Sequence, residues 1–277
     1  MLPVIHVGDI PTYYLFMLFG IITGFAAFIF SEPVFWTAPG FCGKLWPTVR
    51  AAVGYLAVVF LCLQGANYFH YFFDNIPPSL SSALTWRDIL FTPPFRTVKV
   101  LYGAIFFYPL GIWVASLVMG RKFADLLNSK AFIVFIVLGF TRIGCFFNGC
   151  CYGIVSETFG VCFPPGSAAA AEHWARGLTR GFAPPASLPV IPTQPISALF
   201  LLCLAVISFR HYRNGKSHTF AKSVFAYAVF RFTIEFIRDD MDRAYWLGLS
   251  ASQWISLAVF VVAGIWTAIK RKREAQV

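Results

Sequence analysis

Arg231, Glu235 and Arg238 stand at i, i+4 and i+7 in the largely apolar run Phe230–Arg238, a spacing that puts all three on one face of a helix. Arg231 and Glu235 can pair there, which lowers the burial cost of both. Arg142 lies in a second apolar run and has no acid near it in sequence. An ionisable side chain in hydrocarbon costs at least ~2.5 kcal/mol even on the lenient insertion scale, so each of these residues is a functional hypothesis by default. A structural ion pair bracing a helix bundle accounts for Arg231 with Glu235, but it leaves Arg142 unexplained. A buried cation without an acid wants an anion from elsewhere. The anions abundant at membrane depth are lipid phosphates, and the guanidinium fork is well shaped for them.

Around Arg142 the chain reads Gly139-Phe140-Thr141-Arg142-Ile143-Gly144-Cys145-Phe146-Phe147-Asn148-Gly149-Cys150-Cys151-Tyr152-Gly153. Its glycines allow close approach of another helix or a ligand and free backbone amides for an anion, and Asn148 can both donate and accept. Cys145, Cys150 and Cys151 are open to several readings. They can be small packing residues, or Cys150 or Cys151 can form a disulfide with Cys162, with at least one of the seven cysteines left over. A metal centre is disfavoured by the spacing, which has no C-x-x-C pair and no nearby His.

The elements that must position these residues are membrane spans. Of 277 residues, 58% are hydrophobic, 18% aromatic and 12% charged, about half the charge of a soluble domain. Disorder is excluded by the same composition. Long uncharged runs without period-2 alternation predict helices rather than a barrel, at Tyr13–Phe30, Ala51–Phe73, Val98–Met119, Phe132–Phe147, Ile196–Phe209, Phe220–Ile237 and Ala251–Ile269. The expected fold is thus all-α, a polytopic bundle of seven transmembrane helices forming one integral-membrane domain over 1–277. No inverted repeat of the transporter kind is visible.

Loop charge sets the orientation. The basic residues of the carboxyl end (Lys270 to Arg273), of the Arg210–Lys222 and Arg121–Lys130 loops, and Lys44 and Arg50 all fall on one side. That side is expected to be cytoplasmic and the amino end periplasmic. Met1–Asp9 lacks the basic region of a cleavable signal. Topology and anionic lipid account for the net charge of +10, so no nucleic-acid partner is implied. The longest non-helical stretch, about 154–192, predicts a periplasmic excursion with one short helix near 168–176.

These motifs resemble a known family. Thr141 to Gly153 is similar to the G-R-I-x-N-F-I-N-G-E-x-x-G signature of prolipoprotein diacylglyceryl transferases, and Tyr227 to Asp239 to that family's Y-G-x-x-R-F-x-x-E-x-x-R. Ile191-Pro192-Thr193-Gln194-Pro195 resembles its H-P-T-Q-L-Y-E element, and Tyr13-Tyr14 sits where the family has W-Y-G. The resemblance implies a multi-pass enzyme of the bacterial inner membrane that moves a diacylglyceryl group from phosphatidylglycerol to the lipobox cysteine of a prolipoprotein, working as a monomer without cofactor or metal. It implies that Arg142 binds the phospholipid headgroup together with Asn148, Gly153, Arg238 and Tyr14, and that Arg231 and Glu235 belong to the catalytic set.

The chain also departs from the family. The His of the family's H-G-G element falls at Tyr108, and the signature Asn and Glu fall at Cys145 and Cys150. That leaves Tyr108 and Glu235 as candidate general bases. Two other readings stay open: a phospholipid-dependent transferase with a different acceptor, which includes Cys150 or Cys151 as its own nucleophile, and a non-catalytic protein that binds lipid headgroups or passes an anion.

Overall fold

A computed structural model describes residues 6–7, 10–37, 40–74, 101–240 and 245–274. Four further basic residues, Arg87, Arg96, Lys99 and Arg243, lie outside the described residues. The helices are α1 (Thr12–Phe30), α2 (Pro33–Thr37), α3 (Gly40–Asp74), α4 (Leu101–Met119), α5 (Phe123–Ser129), α6 (Ala131–Asn148), α7 (Ala168–Ala175), α8 (Thr193–Arg213), α9 (Thr219–Ile234) and α10 (Ala251–Glu274). Among the described residues strands are confined to two short antiparallel pairs, β1 (His6–Val7) with β2 (Ile10–Pro11) and β3 (Tyr245–Trp246) with β4 (Leu249–Ser250).

Among the described residues six helical segments are long and apolar enough to cross a bilayer: Thr12–Phe30, Gly43–Tyr68, Tyr102–Met119, Ala131–Asn148, Thr193–Arg213 and Ala251–Ala268. Their outward faces carry large apolar side chains such as Leu18, Ile22, Leu56, Leu117, Leu199 and Val262, which suit lipid and not water. The protein is a polytopic membrane protein. Within the seventh expected span, Phe220–Ile237, the helix is α9, which is 16 residues long and stops at Ile234. There the ladder tightens to i→i+3 bonds, Ile237 N–H to Ile234 O and Arg238 N–H to Glu235 O. The Ile154 amide then takes the Ile237 carbonyl at 2.8 Å, and Gly153 bridges Arg238. Those backbone groups serve a loop contact, so the helix cannot continue.

The chain divides into two compact units. The first comprises Met1–Gly20, Leu138–Leu204 and Ala221–Val277, and the second Ile21–Val137 and Ala205–Phe220.

In the second unit α3 and α4 meet at small residues. A Cβ on Gly103 would lie 2.2 Å from the Gly65 carbonyl oxygen, so any side chain there would force the helices apart. Beside them Lys130, nominally a loop charge, is 1% exposed. Its Nζ pairs with Glu32 Oε1 at 2.6 Å, donates to Phe28 O at 2.9 Å and lies 4.7 Å from the Phe28 ring centroid. Arg121 holds the other oxygen of Glu32 at 2.8 Å. Burial pushes the Lys130 ammonium below its ordinary range, and Glu32 opposes that shift.

In the first unit α1 crosses α6 where a Cβ on Gly144 would lie 2.9 Å from the Tyr13 carbonyl oxygen, with Phe16 stacked on Phe147 at 5.0 Å. The 154–192 segment folds over a small core of Tyr152, Phe163, Ala169 and Val190. The expected short helix is α7, capped by Ser167, whose Oγ accepts from the Ala170 amide. Leu247 and Gly248 turn the β3–β4 hairpin with φ of 50° and 79°. α10 then begins with a capping box in which Ser250 and Gln253 each accept the other's amide proton, at 3.3 and 2.9 Å.

Candidate functional site

The site belongs to the first unit and starts at the end of α6. Gly149, with φ of 68°, closes that helix as a Schellman motif: its amide reaches Phe146 O at 3.1 Å and the Cys150 amide reaches Cys145 O at 3.2 Å. Two residues on, Cys151 adopts φ of 61°, a left-handed conformation that costs a residue with a Cβ about 1–2 kcal/mol. Neighbouring side chains hold it there. The Thr193 hydroxyl donates to Cys151 O at 2.5 Å, and Gln194 Nε2 donates to Cys150 O at 2.7 Å. Thr193 and Gln194 open α8 and are the matched residues of the H-P-T-Q-like element. Gln194 is fully buried, and among the described residues its Oε1 has no hydrogen-bond donor.

This reversal brings three sulfurs together. The Sγ atoms of Cys145, Cys150 and Cys151 lie within 4.8 Å of one another. No described cysteine is in a disulfide, Cys162 included. Hydrogen bonds from the Cys145 and Cys150 thiols, with Arg238 and Arg142 nearby, hold the Cys151 thiol below its ordinary range against the opposing effect of burial. Sequence spacing does not report this cluster, because a chain reversal, not a C-x-x-C turn, makes it.

Arg142 is 6% exposed. It lies within electrostatic reach of Cys151, Cys145, Arg238 and Tyr227. Among the described residues no carboxylate forms an ion pair with it. Arg231 is also buried and pairs with Glu235 Oε2, while its second amino group donates to Ser252 Oγ at 2.8 Å. The capping box of α10 places Ser252 there. Arg238 has left the helix, so the helical i, i+7 geometry does not extend to it. It still reaches Glu235 Oε2 at 3.6 Å, and it forms a two-pronged pair with Asp240 at 2.9 and 2.6 Å. Asp240 and Ser252 were not picked out from sequence; the signals were an acid two residues from an arginine and an S-x-x-Q cap.

The remaining expected residues are distributed as follows. Gly153 contributes backbone: its amide donates to Ile191 O at 2.9 Å, and a Cβ there would lie 2.8 Å from Ile237 O. Asn148 is the last residue of α6 and is half-buried. Tyr13 is within electrostatic reach of the three cysteines and Arg142, and Tyr14 packs edge-on against it at 5.3 Å. Tyr108 lies in the second unit, where its hydroxyl donates to Lys130 O at 2.5 Å and its ring stacks on Phe220. That proton is already committed to a structural bond.

Such an arrangement suits an anionic headgroup beside a nucleophilic sulfur. Buried guanidinium groups supply directed donors that cost little reorganisation when charge develops on an oxygen. The thiol cluster is chemically soft and lies within their field.

Comparison with known proteins bears on this reading. Residues 4–269 match the family model for prolipoprotein diacylglyceryl transferase. The chain is 30% identical over 184 residues to phosphatidylglycerol–prolipoprotein diacylglyceryl transferase 2 of Clostridium perfringens, covering 64% of this chain and 66% of that protein. It is 32% identical over 189 residues to the Neisseria meningitidis serogroup B enzyme of the same function (61% and 65%), and 26% over 183 residues to that of Dehalococcoides mccartyi (64% and 63%). The match thus spans just under two thirds of each relative's length. Since the family model matches nearly the whole chain, including both arginine motifs, the protein belongs to the prolipoprotein diacylglyceryl transferase family.

Proposed function

We propose that this protein transfers the diacylglyceryl group of phosphatidylglycerol to the lipobox cysteine thiol of a secreted precursor, at the periplasmic side of the cytoplasmic membrane, releasing glycerol phosphate. The observation that carries this reading is Arg142, a buried cation without a carboxylate partner among the described residues, within electrostatic reach of Arg238. A lipid phosphate supplies the anion that this arrangement lacks.

In the reaction the acceptor sulfur attacks the glyceryl carbon bonded to the phosphate oxygen. The C–O bond breaks and its electron pair leaves on the phosphate. Arg142 and Arg238 donate to the oxygens on which that charge grows, so they favour the transition state over the bound lipid. Arg231, Glu235 and Ser252 act one layer back. Their hydrogen bonds fix the carboxylate that positions Arg238. Asn148, Gly153 and Tyr14 are assigned to headgroup positioning, and the protein is assigned to work as a monomer with phosphatidylglycerol and the precursor as its partners.

The test is protein in nanodiscs containing phosphatidylglycerol, incubated with a lipobox peptide and read by mass spectrometry. A diacylglyceryl mass gain is expected, reduced about 10²–10³-fold in Arg142→Ala. Arg142→Lys, which keeps charge but not the fork, should recover only part of it. No gain, or a gain indifferent to Arg142, overturns the reading.

A further inference from the structure

The three sulfurs at the end of α6 form one set. Among the described residues no carboxylate or imidazole joins Cys145, Cys150 and Cys151 in their group, and none of the three is oxidised to a disulfide. A tetrahedral zinc–thiolate site has Zn–S distances of about 2.3 Å and so places its sulfurs about 3.8 Å apart. From the present separation of up to 4.8 Å, side-chain rotations of well under an ångström per sulfur close the set on one ion. The backbone that carries two of the three sulfurs is pinned by Thr193 and Gln194, so the ligands come preorganised. Three thiolates around Zn(II) carry one net negative charge, and Arg142 and Arg238 lie within electrostatic reach of Cys151 to offset it.

We propose that Cys145, Cys150 and Cys151 hold Zn(II) with its fourth position open, and that this position takes the acceptor thiol of the transfer reaction. The second half rests on the function proposed above. Three protein ligands and one exchangeable position are the mark of a catalytic zinc site, and a zinc-bound thiol is deprotonated at neutral pH. The site then supplies the thiolate for which this chain offers no evident base. The Tyr108 hydroxyl donates its hydrogen bond to Lys130 O, and Glu235 Oε2 is shared between two arginines.

In the step itself the acceptor R–SH binds zinc and loses its proton to solvent. The zinc-bound sulfur forms the S–C bond to the glyceryl carbon while the C–O bond breaks, its electron pair leaving with the phosphate as glycerol phosphate. The product is a neutral thioether, a weaker ligand than a thiolate, and it leaves the ion. Zinc changes neither oxidation state nor protein ligands. Copper(I), the softer competitor for thiolates, would close on the three sulfurs alone and leave no place for an acceptor.

The experiment uses full-length protein in nanodiscs, reduced and stripped with a chelator. Titration with Zn(II) against a chromophoric chelator is expected to show one ion per chain. Cys145→Ser, Cys150→Ser and Cys151→Ser should each weaken binding at least about tenfold, while Cys162→Ser leaves it unchanged. Replacing Zn(II) by Co(II) requires no variant: sulfur-to-cobalt charge-transfer bands are expected, and a lipobox peptide should shift the ligand-field bands where its Cys→Ser counterpart does not. Absence of binding, binding indifferent to all three serine variants, or three-coordinate Cu(I) preferred over Zn(II) overturns the site. A cobalt spectrum blind to the peptide, or undiminished transfer by stripped protein, overturns the acceptor role. A peptide-dependent cobalt shift without any lipid transfer upholds the site and overturns the transfer reading instead.

Discussion

The Thr193 hydroxyl donates to the carbonyl oxygen of Cys151 at 2.5 Å and thereby ties the first turn of α8 to a left-handed residue after α6. Thr193→Val keeps the shape and removes the bond. A buried hydrogen bond of this kind contributes about 1 kcal/mol, and its loss lets Cys151 relax from φ of 61°. Maleimide labelling of Cys151 should accelerate in Thr193→Val and return toward the parent rate in Thr193→Ser. Equal rates in all three proteins would show that Thr193 does not restrain the turn.

Tyr108 occupies the position where a family base is expected, yet its hydroxyl serves the backbone of Lys130. Tyr108→Phe should therefore keep lipid transfer within a few-fold of the parent while lowering stability by about 1 kcal/mol, read as a shift in thermal denaturation. A loss of two or more orders of magnitude in kcat with stability intact would restore Tyr108 to the catalytic set.

Glu32 is the only carboxylate that pairs with the buried Lys130 among the described residues. Glu32→Gln leaves that ammonium uncompensated, and breaking one side of a buried pair costs about 3–5 kcal/mol. A large drop in melting temperature is expected. Glu32→Gln combined with Lys130→Met should regain much of it, because the stranded charge is then gone. Additive losses in the double variant would contradict the pairing.

His173 is fully buried under the 154–192 segment, with Nδ1 accepting the Leu188 amide at 3.1 Å and the Tyr152 ring edge-on at 5.2 Å. Burial, followed by the Arg176 guanidinium, pushes its imidazole below the ordinary value of 6.5, with Asp239 opposing. The unfolded segment therefore binds the proton more readily than the folded one. This contribution to stability is complete above about pH 6.5 and declines as pH falls below it toward the folded value. Limited proteolysis within 154–192 should accelerate between pH 7.5 and 5.5. His173→Gln, which can still accept the Leu188 amide but does not titrate, should flatten that dependence; an unchanged profile would assign it to another group.

Some of this protein is local information and was legible in residue order. The membrane character follows from long uncharged runs, which need no partner to be read. Arg231 with Glu235 follows from helical spacing, and α7 from an alanine-rich run inside the expected excursion. Tertiary structure decided the rest. The end of α9 depends on Gly153 and Ile154 taking up the chain at Ile237 and Arg238, a contact between distant segments that no periodicity reports. Lys130 and Glu32 read as loop charges because composition places charge in loops, yet they are buried against each other. The cysteines show the difference most directly. Their spacing argues against a shared site, but left-handed residues at Gly149 and Cys151 reverse the chain, and bonds from Thr193 and Gln194 hold that reversal. Sequence spacing reports which side chains share one face of one element; it cannot report which sulfurs meet when a second element pins a strained turn.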